Sequence, residues 1–128
     1  MAVLSAKAIN RATLARQQLL ERAAVAPAEA VRRLAGMQGQ EPKHPYVGLW
    51  TRLDGFADAD LTAAVEARDV VRATLFRGTL HLVTAEDYLR FRTTLAPVLE
   101  AGLKMLKERG EGLEPDKVVA AVKKVTYR

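Results

Sequence analysis

Residues 70–83 read VVRATLFRGTLHLV, and they change the pattern of the chain from helical to extended. Two runs rich in β-branched and aromatic residues flank the dipeptide Arg77-Gly78, and this spacing predicts a β-hairpin over about 70–83. Because Arg-Gly is a weaker turn signal than Asn-Gly, the sequence leaves the strand ends open. An isolated hairpin is only marginally stable in water, so this one must pack against helices.

Apolar residues spaced three and four apart predict four helices before the hairpin. Asn10 is a suitable N-cap for the first helix, and Pro27 suits the first position of the second. The four predicted helices span about 11–22, 27–37, 45–53 and 59–68. A longer helix is predicted after the hairpin, because Thr84 and Asp87 have the spacing of a capping box. Pro97 predicts a kink or a restart of that helix.

This order of elements predicts a mainly α fold with a small β-hairpin. Several helices followed by a two-stranded hairpin are typical of a winged helix-turn-helix unit, in which the hairpin is the wing. The winged-helix unit is predicted to span residues 1–95, and a helical extension to span 85–128, with its last helix beginning at Pro115. The single tryptophan, Trp50, lies on the apolar side of the third predicted helix and is expected to pack in the core.

The composition excludes several classes of functional site. The 128-residue chain has no cysteine, which excludes disulfides, thiolate zinc sites and a cysteine nucleophile. Its two histidines, His44 and His81, are too few for a histidine metal site, and no metal or other cofactor is predicted. No apolar run is long enough to cross a membrane, and the N-terminus lacks the pattern of a signal peptide. A cytoplasmic protein without membrane contact is therefore expected.

The net charge of +5 is confined to the first part of the chain. Residues 1–53 hold eight basic and three acidic residues, whereas residues 54–128 hold twelve of each. A basic segment on a neutral body fits a polyanion such as double-stranded DNA. The alternative is an arginine-rich protein from a GC-rich genome, whose charges are only solvated. The residues predicted to contact DNA are Arg11, Arg16, Arg32, Arg33, Arg77 and His81.

Four segments resemble the start of a known family, and they read NRATLARQ at 10–17, GMQGQEP at 36–42, PYVGLWTRL at 45–53 and RGTLHLVTAEDYL at 77–89. They look like the AlkZ-like winged-helix DNA glycosylases, and they occur in that family's order and spacing. The resemblance implies a bacterial enzyme that excises N7-alkylated purines and unhooks interstrand DNA crosslinks. It also implies a catalytic Gln-x-Gln or Gln-x-Asp motif, which Gln38 and Gln40 occupy here.

The spacing of Gln38 and Gln40 suits a shared site if the segment is extended, because residues i and i+2 then point to the same side. A glutamine amide has no accessible pKa, so it is not a conventional general base. It can still accept a hydrogen bond from a water and donate another, which suffices to aim the water at an anomeric carbon. Gly39 stands where the resembled family more often has a larger apolar residue. The alternative is that both glutamines are polar loop residues after a helix.

Two further candidates lie in the predicted hairpin. Arg77 is placed at its turn, from which the guanidinium can reach a phosphate. His81 has two interpretations: it contacts DNA or orders the active-site loop, or it is a satisfied histidine beneath the hairpin. The other candidate arginines lie on predicted helices, where each one alone is more often just a solvated charge.

Members of the resembled family use three consecutive winged-helix units, whereas this chain corresponds to about one. The chain is therefore expected to be an isolated piece, a truncated gene product or a one-unit relative. One hypothesis is a DNA-binding N-terminal unit of a DNA glycosylase that holds the catalytic glutamines but is inactive alone. Another is a non-enzymatic winged-helix regulator that dimerises on two half-sites. A third is an interaction fragment whose uncovered apolar faces bind a second copy or another chain.

Overall fold

The computed structural model describes residues 3–105 together with Glu114 and Lys117. Within this part the chain forms five α-helices and three short β-strands. In chain order they are α1 (Ala6–Arg16), α2 (Pro27–Arg33), β1 (Met37–Gln38), α3 (His44–Trp50), α4 (Asp58–Glu66), β2 (Val70–Thr74), β3 (Leu80–Thr84) and α5 (Ala85–Met105). A single 3-10 turn at Phe76–Gly78 joins β2 to β3. The predicted mainly α fold with a small hairpin is confirmed.

The three strands form one antiparallel sheet in the order β1-β3-β2. β2 and β3 are the predicted hairpin, with Val71 opposite Val83 and Ala73 opposite His81. The sequence pattern does not predict β1, because two residues are too few to show alternation. The elements from α2 to β3 follow in the order α2, β1, α3, α4 and the hairpin β2-β3. The second strand of the hairpin, β3, also pairs with β1. This arrangement confirms the predicted winged helix-turn-helix unit, with α1 and α5 added at its two ends.

α1 lies closer to the N-terminus than the first predicted helix. The Ser5 hydroxyl accepts a hydrogen bond from the Ala8 N–H at 3.2 Å, so Ser5 rather than Asn10 is the N-cap. The helix ends at Arg16, because Gln18 adopts a left-handed φ of 55° that a helix cannot continue through. None of the residues of α1 is buried.

α2 ends at Arg33, four residues before the predicted end, and the chain then turns sharply into β1. Ala35 and Gly36 both adopt left-handed backbone, with φ of 54° and 111°. Glycine is needed at position 36, because this φ is costly for other residues and a Cβ would lie 2.7 Å from Cγ1 of Val83. The turn lays β1 against β3. α4 likewise ends two residues early, since Arg68 adopts a φ of 64°.

α3 is shorter than predicted, and its tryptophan lies outside the core. The helix ends at Trp50, and its buried residues are Pro45 and Leu49. Trp50 follows Leu49 directly and therefore lies about 100° further round the helix. Its side chain is 55% exposed, and the guanidinium of Arg22 covers the ring at 4.7 Å from the centroid. The expected core position of Trp50 is therefore wrong.

The main core lies between α2, α3, α4 and one face of the sheet. Its buried apolar residues are Ala30, Val31, Leu49, Leu53, Leu61, Val70 and Leu82. Side chains alternate along β3, so His81 and Val83 point to the other face. There Phe76 contacts the rings of His81 and of Phe91 in α5, at centroid distances of 5.2 and 5.3 Å. β3 is therefore packed on both faces and is the central strand of the unit.

α5 begins at the predicted capping box. The Thr84 hydroxyl donates to the Asp87 carboxylate at 2.9 Å and accepts from the Asp87 N–H at 3.2 Å. The helix continues through Pro97 without the predicted restart, and Pro97 is exposed on the side away from the half-buried apolar stripe. That stripe consists of Tyr88, Phe91, Leu95 and Leu99. None of the helices in the described ranges has the length and apolarity that a membrane span requires.

The predicted division into a unit over 1–95 and an extension over 85–128 stays a prediction. α5 covers the start of that extension, and the helix expected from Pro115 lies outside the described residues.

Candidate active site

The segment Gln38-Gly39-Gln40 lies along β3 at the end nearest the hairpin turn. Gln38 is opposite His81 in the register of β1 and β3, and the Gly39 N–H donates to the Leu80 carbonyl at 2.8 Å. Gln38 and His81 therefore form a non-hydrogen-bonded pair, with Cα atoms about 4.5 Å apart and side chains on the same face. The Gln38 side chain is exposed and makes no hydrogen bond to another described residue.

Gln40 differs from Gln38, because its side-chain oxygen is already occupied. The Oε1 atom accepts a hydrogen bond from the Leu80 N–H at 3.2 Å. In a regular antiparallel pair this N–H would donate to the Gly39 carbonyl instead. The side-chain amide of Gln40 thus substitutes for the backbone where β1 ends. Its Nε2 atom keeps two hydrogens as donors.

Arg72 in β2 holds the backbone of the glutamine segment, and sequence reasoning missed it. Its Nε donates to the Gly39 carbonyl at 2.6 Å, and its Nη2 donates to the Gln40 carbonyl at 2.9 Å. The two bonds connect β2 to the end of β1 across the central strand β3. The sequence does show that Arg72 is the one charged residue within the run of β-forming residues that predicts β2, and this could have marked it as a candidate.

His81 is buried, with a fractional exposure of 7%. Its Nδ1 lies 3.0 Å from the Thr79 carbonyl oxygen, and Phe76 meets its ring edge-on. Because a carbonyl only accepts, Nδ1 carries the hydrogen of this bond. These contacts agree with the interpretation of His81 as a satisfied histidine beneath the hairpin. Its contact with DNA stays a prediction.

Arg77 is exposed at the tip of the wing. Its backbone is left-handed, with φ 55° and ψ 22°, and Gly78 follows with φ 70°. Arg77 lies three residues before Leu80, whose N–H binds the side chain of Gln40. The wing tip and both glutamines therefore share one end of the sheet, together with His81.

Arg32 and Arg33 share the carboxylate of Glu29. Arg32 donates to one oxygen from Nε at 2.9 Å and Nη2 at 2.6 Å, and Arg33 donates to the other from Nε at 2.8 Å. The hydrogen bonds from Arg33 and then Arg32 lower the pKa of Glu29, and the same carboxylate raises the pKa of Arg32. Arg32 and Thr84 line the same surface cavity, at the end of β3 that lies away from the hairpin turn. That end is about 13 Å from Leu80 at 3.3 Å per residue.

Arg11 and Arg16 are exposed on α1. The C-terminal end of this helix is attached to the winged-helix unit, because Arg52 donates from Nε to the Gln17 carbonyl at 2.8 Å. The structure therefore separates the six predicted DNA contacts into groups. Arg77 and His81 lie with the glutamines, whereas the four helix-borne arginines lie on α1 and α2.

α4 occupies the position of the second helix of a helix-turn-helix, the element that ordinarily enters the major groove of DNA. Its exposed acidic residues are Asp58, Asp60 and Glu66, and the helix carries no lysine or arginine. Acidic side chains repel phosphates, so this helix lacks the charge that a groove-reading helix needs.

The exposed groups beside β1 are neutral amides, at the same end of the sheet as the exposed Arg77. Gln38 offers both a donor and an acceptor, and Gln40 offers donors. Within the described residues, no three potential metal ligands lie close together. The arrangement is suited to orienting a small polar molecule such as water by hydrogen bonds.

Comparison with known proteins identifies the family. A family model described as "DNA glycosylase AlkZ-like" matches residues 31–127, a range that includes Gln38, Gln40 and Arg72. A search of curated proteins gives no match. Among solved structures, the DNA glycosylase AlkZ of Streptomyces sahachiroi is similar, with a TM-score of 0.63 and 21% identity. The match covers 88% of this chain and 30% of AlkZ, and at that identity it shows the fold alone. Because the family model matches well over half of its residues, the chain belongs to the AlkZ-like DNA glycosylase family.

Proposed function

We propose that this chain is a DNA-binding winged-helix unit that carries the catalytic glutamines of a DNA glycosylase. The proposed substrates are N7-alkylpurines and interstrand crosslinks in double-stranded DNA, in the cytoplasm of a bacterium. The observation that carries the proposal is the placement of Gln38 and Gln40 at one end of the sheet, within the range matched by the family model.

The proposed reaction is hydrolysis of the N-glycosidic bond. The oxygen of a water attacks C1′ of the sugar, the C1′–N9 bond breaks, and its electron pair neutralises the cationic N7-alkylated ring. The water loses one proton to solvent, and the product strand has an abasic sugar with a C1′ hydroxyl. Because the leaving base is already cationic, the protein needs no strong acid to assist its departure.

The two glutamines have different roles in this proposal. Gln38 is exposed, and neither the oxygen nor the nitrogen of its side-chain amide bonds another described residue, so its oxygen can accept a hydrogen bond from the attacking water. Gln40 has its oxygen bonded to the Leu80 N–H, so it contributes donors from Nε2 to the water or to the lesion. Holding a water against C1′ in this way lowers the entropic part of the barrier.

The acidic surface of α4 determines how DNA approaches the unit. Asp58, Asp60 and Glu66 oppose entry of α4 into the major groove, whereas Arg77 offers a cation on the side of the glutamines. We infer that DNA lies across the wing end of the sheet. This inference disfavours the regulator hypothesis, because a helix-turn-helix regulator reads bases with the helix that is acidic here.

The unit supplies one side of a glycosylase site. Excision requires that the lesion is held in place and that stray water is excluded. Gln38 is exposed, so the excluding surface has to come from additional units or from a partner chain. Val47 and Trp50 on α3 are 60% and 55% exposed, and this exposed apolar surface keeps the interaction hypothesis open as a second function.

The proposal is tested with a duplex that carries one N7-methylguanine, an identical undamaged duplex and a crosslinked duplex. Base release is measured as alkali-labile abasic sites, and binding as fluorescence anisotropy over a range of salt concentrations. The wild-type chain is compared with the double variant Gln38→Ala/Gln40→Ala. Because a single unit lacks the excluding surface, the measurement is repeated with the complete product of the reading frame.

Base release by the wild type that is lost in the double variant supports the proposal. Sequence-selective binding to undamaged DNA without base release supports the regulator instead. If no DNA is retained even at low salt, both functions are excluded and the interaction hypothesis is favoured.

A further inference from the structure

Arg72 makes an unusual connection within the sheet. It belongs to β2, yet its guanidinium binds the carbonyls of Gly39 and Gln40 at the end of β1, although β3 separates these two strands. The guanidinium passes close beside position 39, where a Cβ would lie 3.8 Å from Nε of Arg72, an ordinary contact distance.

The connection changes which acceptor the Leu80 N–H binds. The Gly39 N–H donates to the Leu80 carbonyl, and in a regular antiparallel pair the Leu80 N–H would donate back to the Gly39 carbonyl. That carbonyl instead accepts the hydrogen bond from Arg72 at 2.6 Å. The Leu80 N–H then donates to Oε1 of Gln40 at 3.2 Å. The Arg72 guanidinium and the Gln40 amide oxygen thus replace the hydrogen bond that the Leu80 N–H and the Gly39 carbonyl would share in a regular pair.

We propose that Arg72 is a positioning residue for the two glutamines. By binding the Gly39 carbonyl, which would otherwise accept from the Leu80 N–H, it commits the amide oxygen of Gln40 to Leu80. The Nε2 donors of Gln40 are then directed away from Leu80. The guanidinium also holds the two backbone carbonyls that follow Gln38 in the chain. The catalytic consequence rests on the proposed function, but the exchange of hydrogen-bond partners does not.

The geometry requires arginine rather than any cation. Nε and Nη2 lie in the rigid plane of one guanidinium, and each donates to a different carbonyl. A lysine at this position has a single ammonium group on a flexible stem and cannot reproduce the planar fork. Lysine therefore keeps the charge at position 72 and loses the positioning, which separates the two contributions.

The structural half is tested by hydrogen exchange of the Leu80 amide in four proteins: wild type, Gln40→Ala, Arg72→Met and the double variant. In the wild-type background, Gln40→Ala should speed exchange about fivefold, because it removes the acceptor of the Leu80 N–H. In the Arg72→Met background the Gly39 carbonyl becomes available, so Gln40→Ala should have almost no effect. An equal effect of Gln40→Ala in both backgrounds overturns the proposal.

The catalytic half is tested by kcat and KM for release of N7-methylguanine. Arg72→Met and Arg72→Lys should both lower kcat about 10- to 100-fold with little change in KM, because they displace the glutamines and not the DNA. Arg90→Met is the matched control, since it removes an exposed arginine that pairs with Glu86 on α5, and it should leave kcat unchanged. Full activity of Arg72→Lys overturns the positioning role, and so does a change confined to KM.

The two halves distinguish failure of this proposal from failure of the proposed function. If the wild type releases no base even as the complete product of its reading frame, but Leu80 exchange follows the expected pattern, the glycosylase assignment is wrong and the positioning of Gln40 by Arg72 stands. If base release is normal and Leu80 exchange does not depend on Arg72, the positioning proposal is wrong. Arg72→Lys is used in both measurements if Arg72→Met does not fold.

Discussion

Replacing Gly36 with alanine should destabilise the protein by about 3 kcal/mol, because Gly36 forms the turn that lays β1 against β3. Two terms add to this figure. A φ of 111° is strained for alanine and costs about 1–2 kcal/mol. The new Cβ would lie 2.7 Å from Cγ1 of Val83 and 3.2 Å from the Leu82 carbonyl oxygen, and such overpacking costs about 1–3 kcal/mol.

Urea unfolding separates the two terms through a double-mutant cycle with Val83→Ala. Val83→Ala alone should cost about 2 kcal/mol through the cavity it leaves in a fully buried site. In that background the clash with Cγ1 of Val83 is absent, so Gly36→Ala should cost only its backbone term and the remaining close contact with the Leu82 carbonyl oxygen. The two substitutions should therefore couple by about 1–2 kcal/mol. Gly102→Ala on α5 is the matched control, because nothing lies within 4 Å of its Cβ and alanine favours a helix.

The reasoning is refuted if Gly36→Ala changes the free energy of unfolding by less than about 0.5 kcal/mol, the range typical of inert surface positions. It is also refuted if the cycle shows no coupling, because the clash with Val83 would then be absent. Either result would mean that the turn does not place β1 and its glutamines as described.

Gly39→Ala should change the free energy of unfolding, measured in urea, by less than about 1 kcal/mol, because its Cβ would make ordinary contacts at 3.5 Å or more. A loss of stability above about 2 kcal/mol would contradict this packing. Glu29 should titrate below its usual range by NMR, and Arg33→Ala and Arg32→Ala should each raise its pKa. Because the folded pKa is lowered, the associated stability is present at neutral pH and is lost as pH falls through the folded pKa; an unshifted titration contradicts the ion pairs. Arg77→Ala should reduce the slope of log affinity against log salt by about one, and an unchanged slope removes Arg77 from the DNA interface.

The hairpin and the capping box could be predicted because their signals are local. Runs rich in β-branched residues on both sides of Gly78 define β2 and β3, and Thr84 with Asp87 marks the start of α5. Helix ends were less predictable, because several of them depend on left-handed backbone at residues that rarely adopt it. Gln18 and Ala35 give no signal of this kind in the sequence.

The candidate site was predictable in its residues and not in its contacts. The resemblance pointed to Gln38 and Gln40, but β1 has two residues and shows no pattern of its own. The bonds from Arg72 join residues more than 30 positions apart, and only the paired strands bring them together. The core position expected for Trp50 was wrong because an apolar helix face in the sequence does not reveal which neighbouring element covers it.

The single-turnover rate of N7-methylguanine release by Gln38→Ala tests the catalytic role of the glutamine pair most directly. Gln38 makes no hydrogen bond to another described residue, so the substitution removes an amide from the site without breaking a structural contact. Gln17→Ala, which removes another exposed glutamine side chain, is the matched control. We expect Gln38→Ala to lower the rate about 10- to 100-fold while Gln17→Ala retains it. A wild-type rate in a folded Gln38→Ala protein would contradict the assignment of Gln38 as a catalytic residue.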